Sequence, residues 1–388
     1  MKQESCRILH VANDYPFPPN HGGRVDIWRR LQSLTELGCH VDLLVTVKHR
    51  ADIVQPEYVR TQCNDLLTVD RQLGWRSVNL GTPYQWASRR KLSTLMLPGN
   101  YDVLLLESEQ CAPILKNPAI RDAKILLRVH NDEADFLSQL GCADSNWIRK
   151  QFYAREARLF RKLSENVFGK ADRLLFSSSK QHRTWIDSNP RLACKAHWAP
   201  PSATARTEYL KLREGATVLF VGGLSSPSNQ EAITWYLENI HSELLDVPGY
   251  KFLIVGRTRE IDLPRNLKLL LQKPAVTVIK DAPNLAPYYR DAAVFVNPMQ
   301  TGASIKVKTV NALEFAIPTV TTDIGNEGTR FMHEQHVLVA NSPRQFSEAV
   351  RMLLTNPQRG RELARAGLEI IQECYNHGRL LSNILAQL

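Results

Sequence analysis

No stretch of this 388-residue chain strings together the roughly eighteen apolar residues that a membrane-spanning helix needs. The opening Met1-Lys-Gln-Glu-Ser-Cys6 does not lead into an apolar signal core or a cleavage site, so a cytoplasmic protein is expected. Cysteine is sparse: Cys6, Cys39, Cys63, Cys111, Cys142, Cys194 and Cys374 are odd in number, scattered and never spaced CxxC. That pattern suggests neither a disulfide framework nor a zinc site and predicts reduced, mostly buried thiols. Asp-x-Asp is absent, and with it the simplest motif for holding a divalent ion through two carboxylates. No Gly-x-Gly-x-x-Gly follows the first strand, and the strand at 41–47 does not end in an acid that would hold a ribose, which disfavours a nicotinamide cofactor.

What is present is a formal charge of +10 on an otherwise ordinary globular composition, long enough for two domains. Basic residues cluster at Arg89-Arg90-Lys91 and along 149–170, without the alternation of basic and aromatic residues typical of a nucleic-acid platform. No nucleic-acid partner is expected. A solvated helix face and a contact with an anionic membrane surface both remain open for these clusters.

Arg7-Ile-Leu-His-Val-Ala-Asn13 has the pattern of a buried strand, and the chain turns through Gly22-Gly23 into a helix with Ile27, Leu31 and Leu34 on one face. One glycine is explained by a tight turn; two in succession point to a ligand close to the backbone. Further strands are predicted at 66–70, 102–106, 124–129 and 173–178, with a long charged helix over 148–168. Alternation of this kind predicts a parallel sheet. The strand at 124–129 runs into His130-Asn131-Asp132-Glu133, at the strand end where open α/β sheets place their ligands. Pro190, Pro200-Pro201 and the polar run to Glu214 read as a linker, with the boundary near 199. A second strand–glycine unit begins at 216, ends in Gly222-Gly223, and is followed by Ser225, Ser226 and Asn229; helices at 343–355 and 357–374 precede a final segment, 376–388.

The most informative segment is 293–322. Val294-Phe295-Val296 is a strand broken by Pro298 and Gly302, and Ile305, Val310, Leu313 and Ala316 then recur at helical spacing until Pro318. The loop delivers the unpaired amides of a helix start to the edge of the sheet, with Lys306 and Lys308 adding two positive charges. Phosphate is the anion this arrangement suits.

A glycine loop, Ile305-Lys306-x-Lys308, a small-residue helix and Pro318-Thr-Val-Thr-Thr322 together resemble the donor-phosphate segment of family-4 glycosyltransferases. These are α/β enzymes of GT-B architecture, with two Rossmann-like domains whose parallel sheets face each other across a cleft. The resemblance is clearest at 7–31, 125–135 and 216–325. It departs at the usual Glu-x7-Glu pair, whose positions fall on Ala303 and Asn311. Glu314, roughly 300° further round the helix than Asn311, reads as a surface residue. Leu224 and Asn229 stand near the places of an Arg and a Lys that often grip the diphosphate, leaving Lys306, Lys308 and Arg257 as replacements. The segment 276–281 and Asn284-Leu-Ala-Pro-Tyr-Tyr289 resemble the family's base-binding edge.

The resemblance implies an acceptor domain at 1–198, a nucleotide-sugar domain at 199–374, and a last helix at 375–388 crossing back to the first. It implies a hexosyltransferase-like, metal-independent enzyme that moves sugar from a nucleoside-diphosphate sugar, with retention, to a glycan, lipid-linked or other acceptor. No cofactor is required, because the nucleotide sugar is a substrate. Catalytic roles fall on His130, Glu133 and Lys306. Donor binding falls on Gly22, Gly23, Gly222, Gly223, Ser225, Asn229, Arg257, Gly302, Ser304, Ile305, Lys308 and Asn311. Such an enzyme would work in the cytoplasm, with peripheral contact at the inner face of the membrane as one expectation. A catalytically silent binder of nucleotide sugar or glycan, or a nucleotide-sugar epimerase, are the alternatives.

Overall fold

Runs of Val, Ile and Leu buried on both faces become the strands of two separate parallel sheets, as βα alternation requires. The computed structural model describes residues 6–19, 22–74, 77–78, 81–130, 132–213, 215–258, 263–302 and 305–388. The chain divides into two units, Met1–Ser202 with His377–Leu388, and Ala203–Asn376.

In unit 1 the order along the chain is β1 (Arg7–Ala12), α1 (Gly22–Glu36), β2 (His40–Val47), α2 (Pro56–Arg60), β3 (Asp65–Asp70), α3 (Tyr84–Ala87), β4 (Val103–Leu106), β5 (Lys124–Val129), α4 (Glu133–Ala143), α5 (Trp147–Lys170), β6 (Arg173–Phe176), α6 (Ser179–Ser188) and β7 (Ala196–Trp198). The sheet runs β3-β2-β1-β4-β5-β6-β7, all parallel, with Ile8 paired to Val41 on one side and to Val103 on the other. Ile8 and Ala12 pack under Ile27, Leu31 and Leu34 of α1, while Leu9 and Val11 join Leu104, Leu106 and Leu127 in a second core. Strand order reverses between β1 and β4, which opens a crevice at their carboxyl ends.

Unit 2 repeats the plan with β8 (Ala216–Val221), α7 (Pro227–Asn239), β9 (Tyr250–Gly256), α8 (Arg265–Leu270), β10 (Val276–Lys280), α9 (Ala286–Asp291), β11 (Val294–Asn297), α10 (Val307–Glu314), β12 (Thr319–Thr321), α11 (Asp323–Asn326), β13 (Leu338–Val339), α12 (Pro343–Thr355) and α13 (Pro357–Cys374). Its order, β10-β9-β8-β11-β12-β13, is also all parallel and reverses between β8 and β11.

The last helix, α14 (His377–Leu385), belongs to unit 1, where Leu381 and Ile384 enter the core beneath α1. Each such burial is worth roughly 1.5–3 kcal/mol. The chain passes between units at Ser202–Ala203 and at Asn376–His377, a few residues beyond the prolines that suggested a boundary near 199. Pro200 stays in unit 1 because its carbonyl accepts a bond from His377 Nε2 (2.5 Å), and the Ala199 carbonyl accepts one from Arg128. The thiols also depart from expectation. Cys111 alone is buried, Cys142 and Cys194 are exposed, and the other four are half-buried. Cys111 lies inside a core cluster, Cys6, Cys39 and Cys63 pack against the edge of another, and six of the seven lie outside the strands and helices or near their ends.

Candidate active site

Beyond β11 the chain is tied down by the side chain ending that strand. Asn297 Nδ2 donates to Thr309 Oγ1 (2.8 Å) and to the Gly325 carbonyl (3.0 Å), fixing the first turn of α10 beneath the loop. Gly302 supplies a φ of +120°, which side chains other than glycine rarely adopt. On the outer side, Thr301 Oγ1 donates to Glu231 of α7. Lys306 sits at the cap position of α10 and returns its Nζ to the Gly302 carbonyl (3.0 Å). Lys308, in the first turn, donates to Asn229 Oδ1 (2.5 Å), and its ammonium lies 4.4 Å over the Phe220 ring. Asn229 in turn donates to the Gly223 carbonyl (2.8 Å). The turn after β8, the start of α7 and the start of α10 therefore converge at the switch point of the unit 2 sheet. A Cβ on Gly222 would fall 2.8 Å from Asn229 Nδ2 and 3.0 Å from Lys308 Nζ, so a side chain there would displace the ends of both.

Burial, and then the charge of Lys306, pull the Lys308 ammonium down from the ordinary lysine value of 10.5 to about 7. Its contacts, Asn229 Oδ1, the Phe220 ring and Met299 Sδ (3.8 Å), are all neutral. One helical turn on, and on the same face, the buried Asn311 Oδ1 has no hydrogen-bond partner among the described residues.

Other positions are disposed around this core of the site. Arg257 follows β9 and holds the loop through its carbonyl, which accepts from Leu224 N (2.8 Å). Leu224 is fully buried, so it is a packing residue, while Ser225 precedes the cap of α7. Ile305 is buried beneath the loop. Ser304 and Ala303 lie outside the described residues. Glu314 corrects the expectation of a surface residue: it is 1% exposed, and Oε1 accepts from Arg206 Nε (3.4 Å). The cause is the path of 203–210, whose backbone also bonds the Glu314 carbonyl through Arg206 N (3.1 Å). This pairing turns Glu314 toward Arg206, so it does not replace the missing acid.

Unit 1 holds a second constellation at its own switch point. His130 follows β5, and its Nε2 lies 3.3 Å from Glu107 Oε2 while Nδ1 is 3.8 Å from Asp26 Oδ2. Glu107, directly after β4, also contacts His10 Nε2 (2.6 Å) and accepts from Arg30 Nε (2.7 Å). Asp26 accepts from Arg30 and from Arg128 Nη2 (2.9 Å), and Arg30 Nη1 reaches His377 Nδ1 (3.3 Å). Burial alone would raise both acids, but Arg128 and Arg30 outweigh it at Asp26, and Arg30 with the histidines outweighs it at Glu107, so both are held well below the usual carboxylate range. Burial, reinforced by Arg30, pushes His377 down to about 3, so it is neutral. Two carboxylates and two guanidinium groups thus balance in a dry cluster that grips the His130 ring from two sides.

Glu133, to which the resemblance gives a catalytic role, is a neighbour of His130. It opens α4, bonds Gln110, and is raised by burial above the ordinary value despite the neighbouring His130. Gly22 and Gly23 begin α1, the helix that one and two turns later presents Asp26 and Arg30 to the cluster. Asp26, Arg30 and Glu107 escaped the sequence reading. The available signal was an acid closing the apolar run Leu104-Leu-Leu-Glu107, and an Asp–Arg pair four apart on the inward face of α1. Among the described residues, Asp26, Glu107 and His130 are the group whose ligand-type atoms converge, all within 4.8 Å. The guanidinium groups of Arg30 and Arg128 already neutralise the carboxylates, so a cation added there would be in excess, and the trio does not fit a metal.

Two Rossmann-type sheets in one chain, each with a glycine-led helix start at its switch point and one carrying a lysine pair, define the GT-B class of fold. Residues 215–356 match the family model described as Glycosyl transferases group 1, and the chain belongs to that family. It is 30% identical over 395 residues to an uncharacterized 44.6 kDa protein in the cps region of Klebsiella pneumoniae, covering 98% of this chain and 100% of that one. Among solved structures, HepE from Anabaena in complex with UDP-glucose shares the fold at 13% identity with a TM-score of 0.67, over 98% of this chain and 100% of its own. TarM of S. aureus, solved with fondaparinux, α-GlcNAc-glycerol and UDP, shares it at 8% identity and a TM-score of 0.69, over 99% of each chain.

Proposed function

We propose that the protein transfers a glycosyl group, with retention and without a metal ion, from a nucleoside-diphosphate sugar to a glycan or lipid-linked acceptor. The observation that carries this reading is the Lys308 ammonium, held at the start of α10 against Asn229 and the Phe220 ring beside the turn after β8, and lowered to about 7. A diphosphate there would restore the full charge of Lys308 and meet the helix start. When the sugar departs as an oxocarbenium-like centre, negative charge grows on the diphosphate, and fixed amides and lysines stabilise it where other enzymes use a divalent ion. The Asn311 acceptor suits a ribose hydroxyl, in place of a glutamate. The neighbours solved with UDP-glucose, and with UDP and a glycan, support a nucleotide sugar as donor and a glycan as acceptor. The relative from the cps region is consistent with a role in polysaccharide or glycoconjugate biosynthesis.

We assign to His130, held in place by Glu107 and Asp26, a hydrogen bond to a hydroxyl of the transferred sugar. The enzyme works in the cytoplasm, at the inner face of the membrane. A panel of nucleotide sugars tests the reading by release of nucleoside diphosphate with and without acceptors. Release that depends on acceptor and is lost in Lys308→Met supports transfer. The absent glutamates at Ala303 and Asn311 favour one rival, a silent binder. That rival predicts thermal stabilisation by donor, roughly 2.7 kcal/mol at a hundred times the dissociation constant, with no release in any combination. Epimer formation without release would point to an epimerase.

A further inference from the structure

The helices that follow His130 form a hairpin whose outer surface the active-site reading does not use. α4 starts three residues after His130 and packs along α5, the two joined through Asp144-Ser-Asn146. Gly141 makes the close approach possible, since a Cβ there would sit 3.1 Å from Tyr153 Cβ. The end of the hairpin is apolar yet open to solvent, with Trp147 71% exposed and Ile148 62%, and Phe136, Leu140 and Phe152 along its two helices are exposed as well. Phe136 and Leu140 are four apart and share a face of α4.

Basic residues continue the same surface along α5. At about 100° per residue, Trp147, Ile148, Arg158, Arg161 and Lys162 fall within roughly 140° of the helix circumference, opposite the buried Phe160 and Val167. α5 carries seven Lys and Arg against two acids, and one of those acids, Glu156, is buried and paired with Arg155 (2.5 Å). Two adjacent large apolar side chains this exposed at the end of a hairpin, continued by cations on one helix face, mark an interaction site.

We propose that the α4–α5 hairpin docks the protein on an anionic lipid bilayer, with Trp147 and Ile148 entering the headgroup boundary and Arg158, Arg161 and Lys162 lying against acidic headgroups. Indole and aliphatic side chains at a tip, followed by cations on one face, match the polarity gradient from acyl chain to headgroup. A nucleic acid would satisfy the cations and the indole but leave Ile148 and Leu140 unburied. A symmetric pairing of two copies through this face would oppose like charges. The inference rests on the proposed use of a membrane-borne acceptor, and it names the element that would bring the protein to it.

The test is flotation of the full chain with vesicles of phosphatidylcholine alone and of phosphatidylcholine with phosphatidylglycerol. Binding to the anionic vesicles only, weakened by salt, is expected. Each cation near such a surface is worth about fivefold in partitioning, so Arg158→Gln/Arg161→Gln/Lys162→Gln should weaken it on the order of a hundredfold. Trp147→Ser/Ile148→Ser should abolish the binding that survives high salt. All five side chains lie on the exposed face, so melting temperature and nucleoside diphosphate release without vesicles should be unchanged, separating docking from folding and from catalysis. No binding to anionic vesicles, or equal binding by both variants, overturns the proposal. So does a dimer in solution that Trp147→Ser dissolves, which would make the hairpin a contact between copies. Vesicle binding without sugar transfer would overturn the transferase reading and leave the docking face standing; transfer to a soluble acceptor without vesicle binding would do the reverse.

Discussion

Lys308 places its ammonium 2.5 Å from the amide oxygen of Asn229, and no carboxylate among the described residues shares that contact. A cation held by neutral groups and lowered to about 7 is mostly deprotonated at pH 8 in the free protein. A bound diphosphate would raise its pKa again, so binding of UDP at pH 8 should take up a proton, approaching one per site. Titration calorimetry in buffers of different ionisation enthalpy measures this. Lys308→Met should abolish the uptake and weaken UDP on the order of ten- to a hundredfold while leaving uridine nearly unaffected. Proton uptake that persists in the mutant would assign it to another group.

The same lysine governs stability without ligand. Between about pH 7 and 10.5 the unfolded chain holds a proton on Lys308 that the folded chain lacks. Its contribution to stability must therefore rise with pH through that window, by at most about 1.4 kcal/mol per pH unit. Glu109 acts in the opposite sense: burial pushes its carboxyl from 4.5 up to about 8, so its contribution falls as pH rises through that range. Urea denaturation across pH should show that Lys308→Met removes the rise and Glu109→Gln the fall. Profiles that shift in parallel, with no change of slope, would contradict both assignments.

For His130, replacement by alanine should lower turnover on the order of ten- to a hundredfold with nucleotide affinity nearly unchanged. Glu107→Gln should reproduce part of that loss and also destabilise, by roughly 3–5 kcal/mol, because Arg30 is left with one fewer buried counter-charge. A Glu107→Gln protein that loses stability but keeps full turnover would confine Glu107 to a structural role. Equal losses of turnover and nucleotide affinity in His130→Ala would move that residue from transfer to simple binding.

Asn311 Oδ1 is a buried acceptor without a hydrogen-bond partner among the described residues, one helical turn from Lys308. Asn311→Glu should tighten nucleotide binding by about tenfold, because a carboxylate is a stronger acceptor for a ribose hydroxyl than an amide oxygen. Asn311→Ala should weaken it by a few-fold, in line with one neutral hydrogen bond of about 1 kcal/mol. Affinity for UDP that is unchanged in both mutants would show that the ribose is held elsewhere.

Most strands were legible because each is a short apolar run, whereas β7 and β13, three and two residues long, carry too little pattern to read; the loop and helix start at 298–308 were legible because proline, glycine and two lysines are local signals. The constellation around His130 was not, for a reason of topology. Asp26, Glu107 and Arg128 lie on α1, β4 and β5, far apart in sequence, and become neighbours only when strand order reverses beside β1. Arg128 sits inside an apolar strand, where its charge is tolerated through Asp26, the nearby Glu107 and the carbonyls of Leu175 and Ala199. Glu314 illustrates the opposite failure. Its helical position predicted a solvated side, and the segment 203–210, with no periodic pattern of its own, covers it.

The return of α14 to unit 1 bears on synthesis at the ribosome. Unit 2 is contiguous, Ala203–Asn376, so every contact it needs is available as soon as that segment has emerged. Unit 1 lacks α14 until residues 377–388 have emerged, after all of unit 2, leaving Ile27, Leu31 and Leu34 short of the apolar partners that Leu381 and Ile384 provide. The second half of the nascent chain should therefore become protease-resistant before the first, inverting the usual order of domain maturation and making the unfinished first unit the species that chaperones must shield.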